Sequence, residues 1–186
     1  MSGGKRVGEG LKRSMSRGRL YVCPLAKVVD TVAATGARSL VTILTAGAAS
    51  VRPSAIEPPR HLRLSVSDIE LPQDGHILPG AEHVDRLLAF LRAWDREQPL
   101  VIHCYAGVSR SPAAAFIGAC ALEPTRCEFE IARELRRASP SATPNRRLVT
   151  LADRMLSRDG RMVEAVAAIG RGADCFEGAP FAMELG

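Results

Sequence analysis

Aromatic residues are scarce in this sequence. One Trp, two Tyr and five Phe make up 4% of 186 residues, so a core must be built from Ala, Val, Leu and Ile. No stretch approaches the roughly 18–20 apolar residues that span a bilayer, and no membrane partner is expected. The N-terminus, MSGGKRVGEGLKRSMSRGR, lacks an apolar h-region and does not read as a secretory signal; a cytoplasmic location is expected. The five cysteines (Cys23, Cys104, Cys120, Cys127, Cys175) include no CxxC pair. An odd, scattered set points to free thiols over a disulfide framework. The four histidines (His61, His76, His83, His103) form no metal-ligand motif, so neither a metal nor another cofactor is expected.

A formal net charge of +5 invites a nucleic-acid reading, but its location weakens it. Residues 1–19 hold six Lys/Arg and one acid, Glu9; the remainder carries 19 basic and 19 acidic residues and is formally neutral. The length suits one domain with a real core. Residues 1–19 are expected to be a disordered basic leader, 20–170 the folded domain and 171–186 a C-terminal tail.

RLYVCPL (19–25) reads as a first strand, AKVVDTVAATG (26–36) as a helix closed by Gly36, and SLVTIL (39–44) as a strand buried on both faces. Residues 45–59 are broken by Pro and Gly and read as loop. HLRLSV (61–66) alternates like a strand, and 67–80 is a long polar loop, a length usually tied to function or disorder. Val84, Leu87, Leu88, Leu91 and Trp94 mark one stripe of a helix over 80–97. PLVIHC (99–104) is another buried-type strand. Ser111 as N-cap and Pro112 at the first position predict a helix to about Leu122. A Thr125–Glu128 capping box predicts one to about Ala138, Thr143-Pro144 opens another, and a last helix falls near 160–169. The order predicts an α/β domain with a mainly parallel central sheet flanked by helices.

HCYAGVSRS, His103 through Ser111, follows the strand LVI. A cysteine, five residues and an arginine is a weak pattern alone: Cys120…Arg126 and Cys127…Arg133 share the spacing, but there it falls at a helix end or inside one. Cys104 instead ends a buried strand, and a helix begins right after Arg110. Ligands of open α/β sheets bind at that end of the strands. A short loop running into a helix N-terminus offers unpaired N–H groups and a positive dipole end, which suits a phosphate. Gly107 permits tight curvature, the same field favours thiolate over thiol at Cys104, and Arg110 can bind two phosphate oxygens with its planar fork.

HCYAGVSRS matches, residue for residue, the H-C-x-A-G-x-S-R-S signature of the cysteine-dependent protein tyrosine phosphatases, and is closest to the compact dual-specificity type. The resemblance covers residues 20–158. It implies that fold, and a phosphatase acting on phosphotyrosine or mixed phospho-amino acids, with a phosphorylated protein or small phosphomonoester as partner. It implies Cys104 as the nucleophile forming a phosphocysteine, and Arg110 with the N–H groups of Tyr105, Ala106, Gly107, Val108 and Ser109 as the phosphate cradle. Ser111 would help the thiolate leave in the second step, and His103 would orient the loop. The family's general acid lies on a mobile loop some thirty residues upstream. Asp68 fits that place best, while Asp74 and Glu70 share the loop. Asn145 matches an Asn that braces the signature loop, although Arg146-Arg147 stand where a Gly-Phe pair is usual. The alternatives are a phosphate-binding module with little turnover, and an RNA 5′-phosphatase using the basic leader.

Overall fold

The computed structural model of the chain describes residues 18–186. The basic leader falls almost wholly outside the described residues. Its last predicted member, Arg19, already belongs to the first strand, where it pairs with Glu184 at 2.7 Å.

Five strands form one sheet: β1 (Arg19–Pro24), β2 (Ser39–Leu44), β3 (His61–Ser65), β4 (Leu100–Cys104) and β5 (Phe181–Glu184), in the order β3-β2-β4-β1-β5. The first four are parallel; β5 runs antiparallel to β1. Every residue of β2 and β4 is buried, as continuous apolar runs between two layers of helices require. On one face, α1 (Val28–Thr35) packs Val28 and Val32 on Cys23, Leu40 and Val101. Gly36 ends it with φ +68°, a left-handed cap that glycine adopts without strain.

The other face carries α2 (Ala81–Ala93), α3 (Arg110–Leu122), α4 (Glu128–Ala138), α5 (Arg146–Met155) and α6 (Arg161–Ile169). The small residues of α3 decide this packing. From Arg110 to Cys120 every residue is buried, and four of the eleven are alanine, so helices close in on several sides of it. At Gly118 a Cβ would sit 3.3 Å from side-chain carbons of both Leu20 and Leu91. Aliphatic close packing thus replaces the missing aromatic bulk.

Away from the signature loop, four boundaries differ from the sequence-based expectation. The α2 helix stops at Ala93 rather than near 97. Trp94 turns extended, its indole N–H donates to the Gln98 carbonyl at 3.0 Å, and Arg96 takes φ +59°. The ring stays buried, so the apolar stripe outlasts the helix. The α4 N-cap is Cys127, with no Thr125–Glu128 box. The Glu128 carboxylate is used elsewhere, accepting from Arg158 at 2.7 Å and Arg161 at 3.2 Å. The N-cap of α5 is Asn145, whose side chain accepts from Leu148 N–H at 3.1 Å. Finally, 171–186 is not a simple tail: 181–184 form β5, burying Phe181 and Met183 with Leu185 just beyond. Four residues are too few to carry a periodic signal, and pairing with β1 reveals this strand.

Candidate active site

The site lies where the parallel strands end. The β4 strand delivers Cys104, residues 105–109 curl away, and α3 begins at Arg110 with Ser109 as N-cap. The helix therefore starts earlier than the Ser111 cap expected from sequence. Ser111 sits inside its first turn instead, buried, with its hydroxyl 3.0 Å from Cys104 Sγ as donor.

Tethers from outside hold the loop open. The Tyr105 carbonyl accepts from Leu25 N–H at 3.0 Å, Ala106 from Gly178 at 2.8 Å, Val108 from Thr143 at 2.7 Å, and Ser109 from Asn145 at 3.3 Å and Ala113 at 3.0 Å. N–H and C=O of one trans peptide point in opposite directions. Carbonyls drawn outward therefore turn the N–H groups of Ala106, Gly107, Ser109 and Arg110 inward. Among the described residues, nothing accepts from the N–H groups of Ala106, Gly107, Val108 or Ser109, which leaves donors free for an anion. Gly107 is required here: its φ is +71°, and a Cβ would lie 2.8 Å from Pro24 N and 3.0 Å from Cys23 C.

The Arg110 side chain is buried, and one edge of its guanidinium is fixed. Nη1 donates to the Val66 carbonyl at 2.9 Å and reaches Thr45 Oγ1 at 3.5 Å. Nε is a buried donor without a hydrogen-bond partner; its nearest acid oxygen, Asp68 Oδ2, is 3.7 Å away. A buried cation with an unsatisfied edge beside free N–H groups is arranged for an oxyanion.

Asp68 is the acid of the 66–80 loop that meets this cradle. Its Oδ1 accepts from Ser109 Oγ at 2.7 Å and from Asn145 Nδ2 at 2.9 Å. Glu70 points elsewhere and accepts from Arg146 N–H at 3.2 Å, while Asp74 is exposed farther along the loop. Arg147 Nε donates to the Pro79 carbonyl at 2.6 Å, so the two arginines at 146–147 latch both ends of the acid loop onto α5.

Behind Cys104, Thr42 Oγ1 lies 2.7 Å from His103 Nε2 and 2.8 Å from His61 Nε2, linking the two rings through one hydroxyl. Burial pushes both imidazoles down to about 4, with the Arg63 and Arg52 charges adding to the effect at His61. Both rings are then neutral near pH 7. The folded state holds fewer protons than the unfolded chain between pH 6.5 and 4, so stability present above 6.5 is lost as pH falls toward 4. His103 alone accounts for up to about 3 kcal/mol over that window. Urea midpoints should fall on acidification from pH 7 to 4.5, and His103→Asn should flatten that fall. Equal slopes in the two proteins would exclude His103 as its source.

Tethering by Gly178, orientation of Arg110 by Val66 and Thr45, and the Thr42 link all escaped sequence reading. Most act through backbone groups or across the sheet, where no residue pattern marks them. No sequence-family model matches the chain, nor does any curated protein sequence. Solved structures do match. Human DUSP28 aligns with a TM-score of 0.57 at 16% identity, covering 75% of this chain and 92% of its own. The human tyrosine phosphatase-like serine/threonine/tyrosine-interacting protein gives 0.56 at 16%, with the same coverage. PTPMT1 in complex with PI(5)P gives 0.54 at 15%, covering 78% and 91%. The chain has the dual-specificity phosphatase fold. In this phosphatase fold the cradle stands at the carboxyl ends of β4 and β1, with the acid loop following β3. Among the described residues no helix is long and apolar enough to cross a membrane.

Proposed function

We propose that this chain hydrolyses phosphomonoesters through a phosphocysteine intermediate, with phosphotyrosine or mixed phospho-amino acids as substrates. One observation carries the reading: the loop that leads from Cys104 to Arg110 leaves its N–H groups free and ends in a buried, unsatisfied Arg110 Nε, with Asp68 Oδ2 3.7 Å from it. In the first step Sγ attacks phosphorus, an S–P bond forms, and the bond to the leaving oxygen breaks as Asp68 delivers its proton there. Arg110 and the loop N–H groups hold the three equatorial oxygens. In the second step water attacks phosphorus, Asp68 takes its proton, and the sulfur departs as thiolate with the Ser111 hydroxyl donating to it. Asn145 and Ser109 keep the Asp68 carboxyl at the cradle. His103 supports the strand end.

The role of Asp68 is tested by leaving-group dependence. Asp68→Asn should slow hydrolysis of phosphotyrosine about 10²- to 10⁴-fold and affect a very good phenoxide leaving group much less. The basic limb of the pH–rate profile should flatten. Asp74→Asn is the control, and should behave as the parent. A change seen with Asp74→Asn and not with Asp68→Asn would move the acid to the exposed end of the loop. Assaying phosphopeptides, phosphoinositides and RNA 5′-ends side by side tests the substrate class. Preference for RNA ends would refute it.

A further inference from the structure

The cradle is bounded on one side by a segment that the signature does not include. From Gly172 the chain runs past the Ser141–Thr143 turn and over the signature loop before entering β5. It is pinned at both ends. Gly172 N–H donates to Thr143 Oγ1 at 3.0 Å and Ala173 N–H to the Pro140 carbonyl at 2.9 Å. Gly178 N–H donates to Ala106, and a Cβ there would lie 3.2 Å from the Gly107 carbonyl oxygen and 3.4 Å from Val108 Cγ2. Close approach of strap to cradle therefore depends on Gly178.

Phe176 lies between these anchors and is 94% exposed. In a chain with eight aromatic residues, the only other exposed one is Tyr105, next to the tethered Ala106. Only Glu177 separates Phe176 from Gly178, so its Cα is at most about 7 Å from that tether. The opposing acid loop adds exposed Leu71 and Ile77. Thus, among the described residues, four of the seven large exposed hydrophobics occur on the three segments that border one cradle. Single exposed apolar residues need no explanation; a group of them around a concave polar site marks a binding surface.

We propose that residues 171–180 form a substrate-recognition strap, docked on the cradle through Gly178, with Phe176 beside Tyr105 gripping the apolar body of the phosphate ester, an aryl group first of all. This rests on the phosphate-site reading above. Aryl packing against these rings favours esters with a ring attached to the phosphate over bare phosphate.

The test uses the full-length chain carrying Cys104→Ser, so that ligands bind without turnover, and calorimetric titration with phenyl phosphate and inorganic phosphate. The parent should bind phenyl phosphate the more tightly. Adding Phe176→Ala should weaken phenyl phosphate about three- to tenfold and leave inorganic phosphate unchanged; Phe176→Tyr should restore the preference. Unchanged phenyl phosphate affinity, or equal weakening of both ligands, overturns the recognition role while leaving the phosphate site intact. Failure of the parent to bind inorganic phosphate would overturn the phosphate-site reading itself, and this proposal with it.

Discussion

Cys104→Ser should abolish turnover of an aryl phosphate, by at least about four orders of magnitude, while inorganic phosphate still binds. The cradle is backbone, held by carbonyl tethers that the substitution does not touch. Arg110 keeps its anchors on Val66 and Thr45. Only the sulfur is lost, and a serine hydroxyl lacks the low-cost anion that makes cysteine a nucleophile. The other cysteines are the controls. Burial pushes the Cys120 thiol up to about 12 and the Cys23 thiol to about 11, so neither is a thiolate at neutral pH. Cys127 is exposed at the N-cap of α4. Cys120→Ser and Cys127→Ser should retain steady-state turnover. Loss of activity in Cys127→Ser with normal turnover in Cys104→Ser would remove the nucleophile from the signature loop.

Arg110→Lys should lower kcat at least about a hundredfold, although the charge is kept. The guanidinium has two jobs at two edges. Nη1 is spent on the Val66 carbonyl, and the edge containing Nε is left for oxygen. A lysine ammonium that keeps the Val66 contact has no second, fixed edge to offer, and one that turns to the phosphate leaves a buried carbonyl unpaired. Tungstate or vanadate affinity should fall alongside kcat. Near-normal turnover would show that charge suffices and that the fork geometry is irrelevant.

The parallel sheet was legible because its central strands are buried on both faces, and such strands read as near-continuous apolar runs like SLVTIL and LVIHC. Helix ends were less so. Trp94 continues the stripe of α2 after the backbone has left the helix, because burial and helicity are separate requirements. Thr125 and Glu128 have capping spacing, but two arginines outcompete the backbone for the carboxylate. In the candidate site, Cys104, Arg110 and Asp68 stand out as side chains with chemistry. Gly178 contributes only an N–H and an absent Cβ, and Val66 only a carbonyl. Such contributions exist once the chain is folded and leave no mark in residue type.

The outward tethers have a consequence for the order in which the site matures. Its carbonyls are held by residues 25, 143, 145 and 178, which span most of the described chain. During synthesis Cys104 and Arg110 emerge long before Gly178, so a nascent chain carries the whole signature without a finished anion nest. Competence arrives late, when the last strand docks on the first. By linkage, an oxyanion that binds only the finished nest pulls on every one of those distant segments at once. Inorganic phosphate would then act as a folding ligand as well as a product of the proposed reaction.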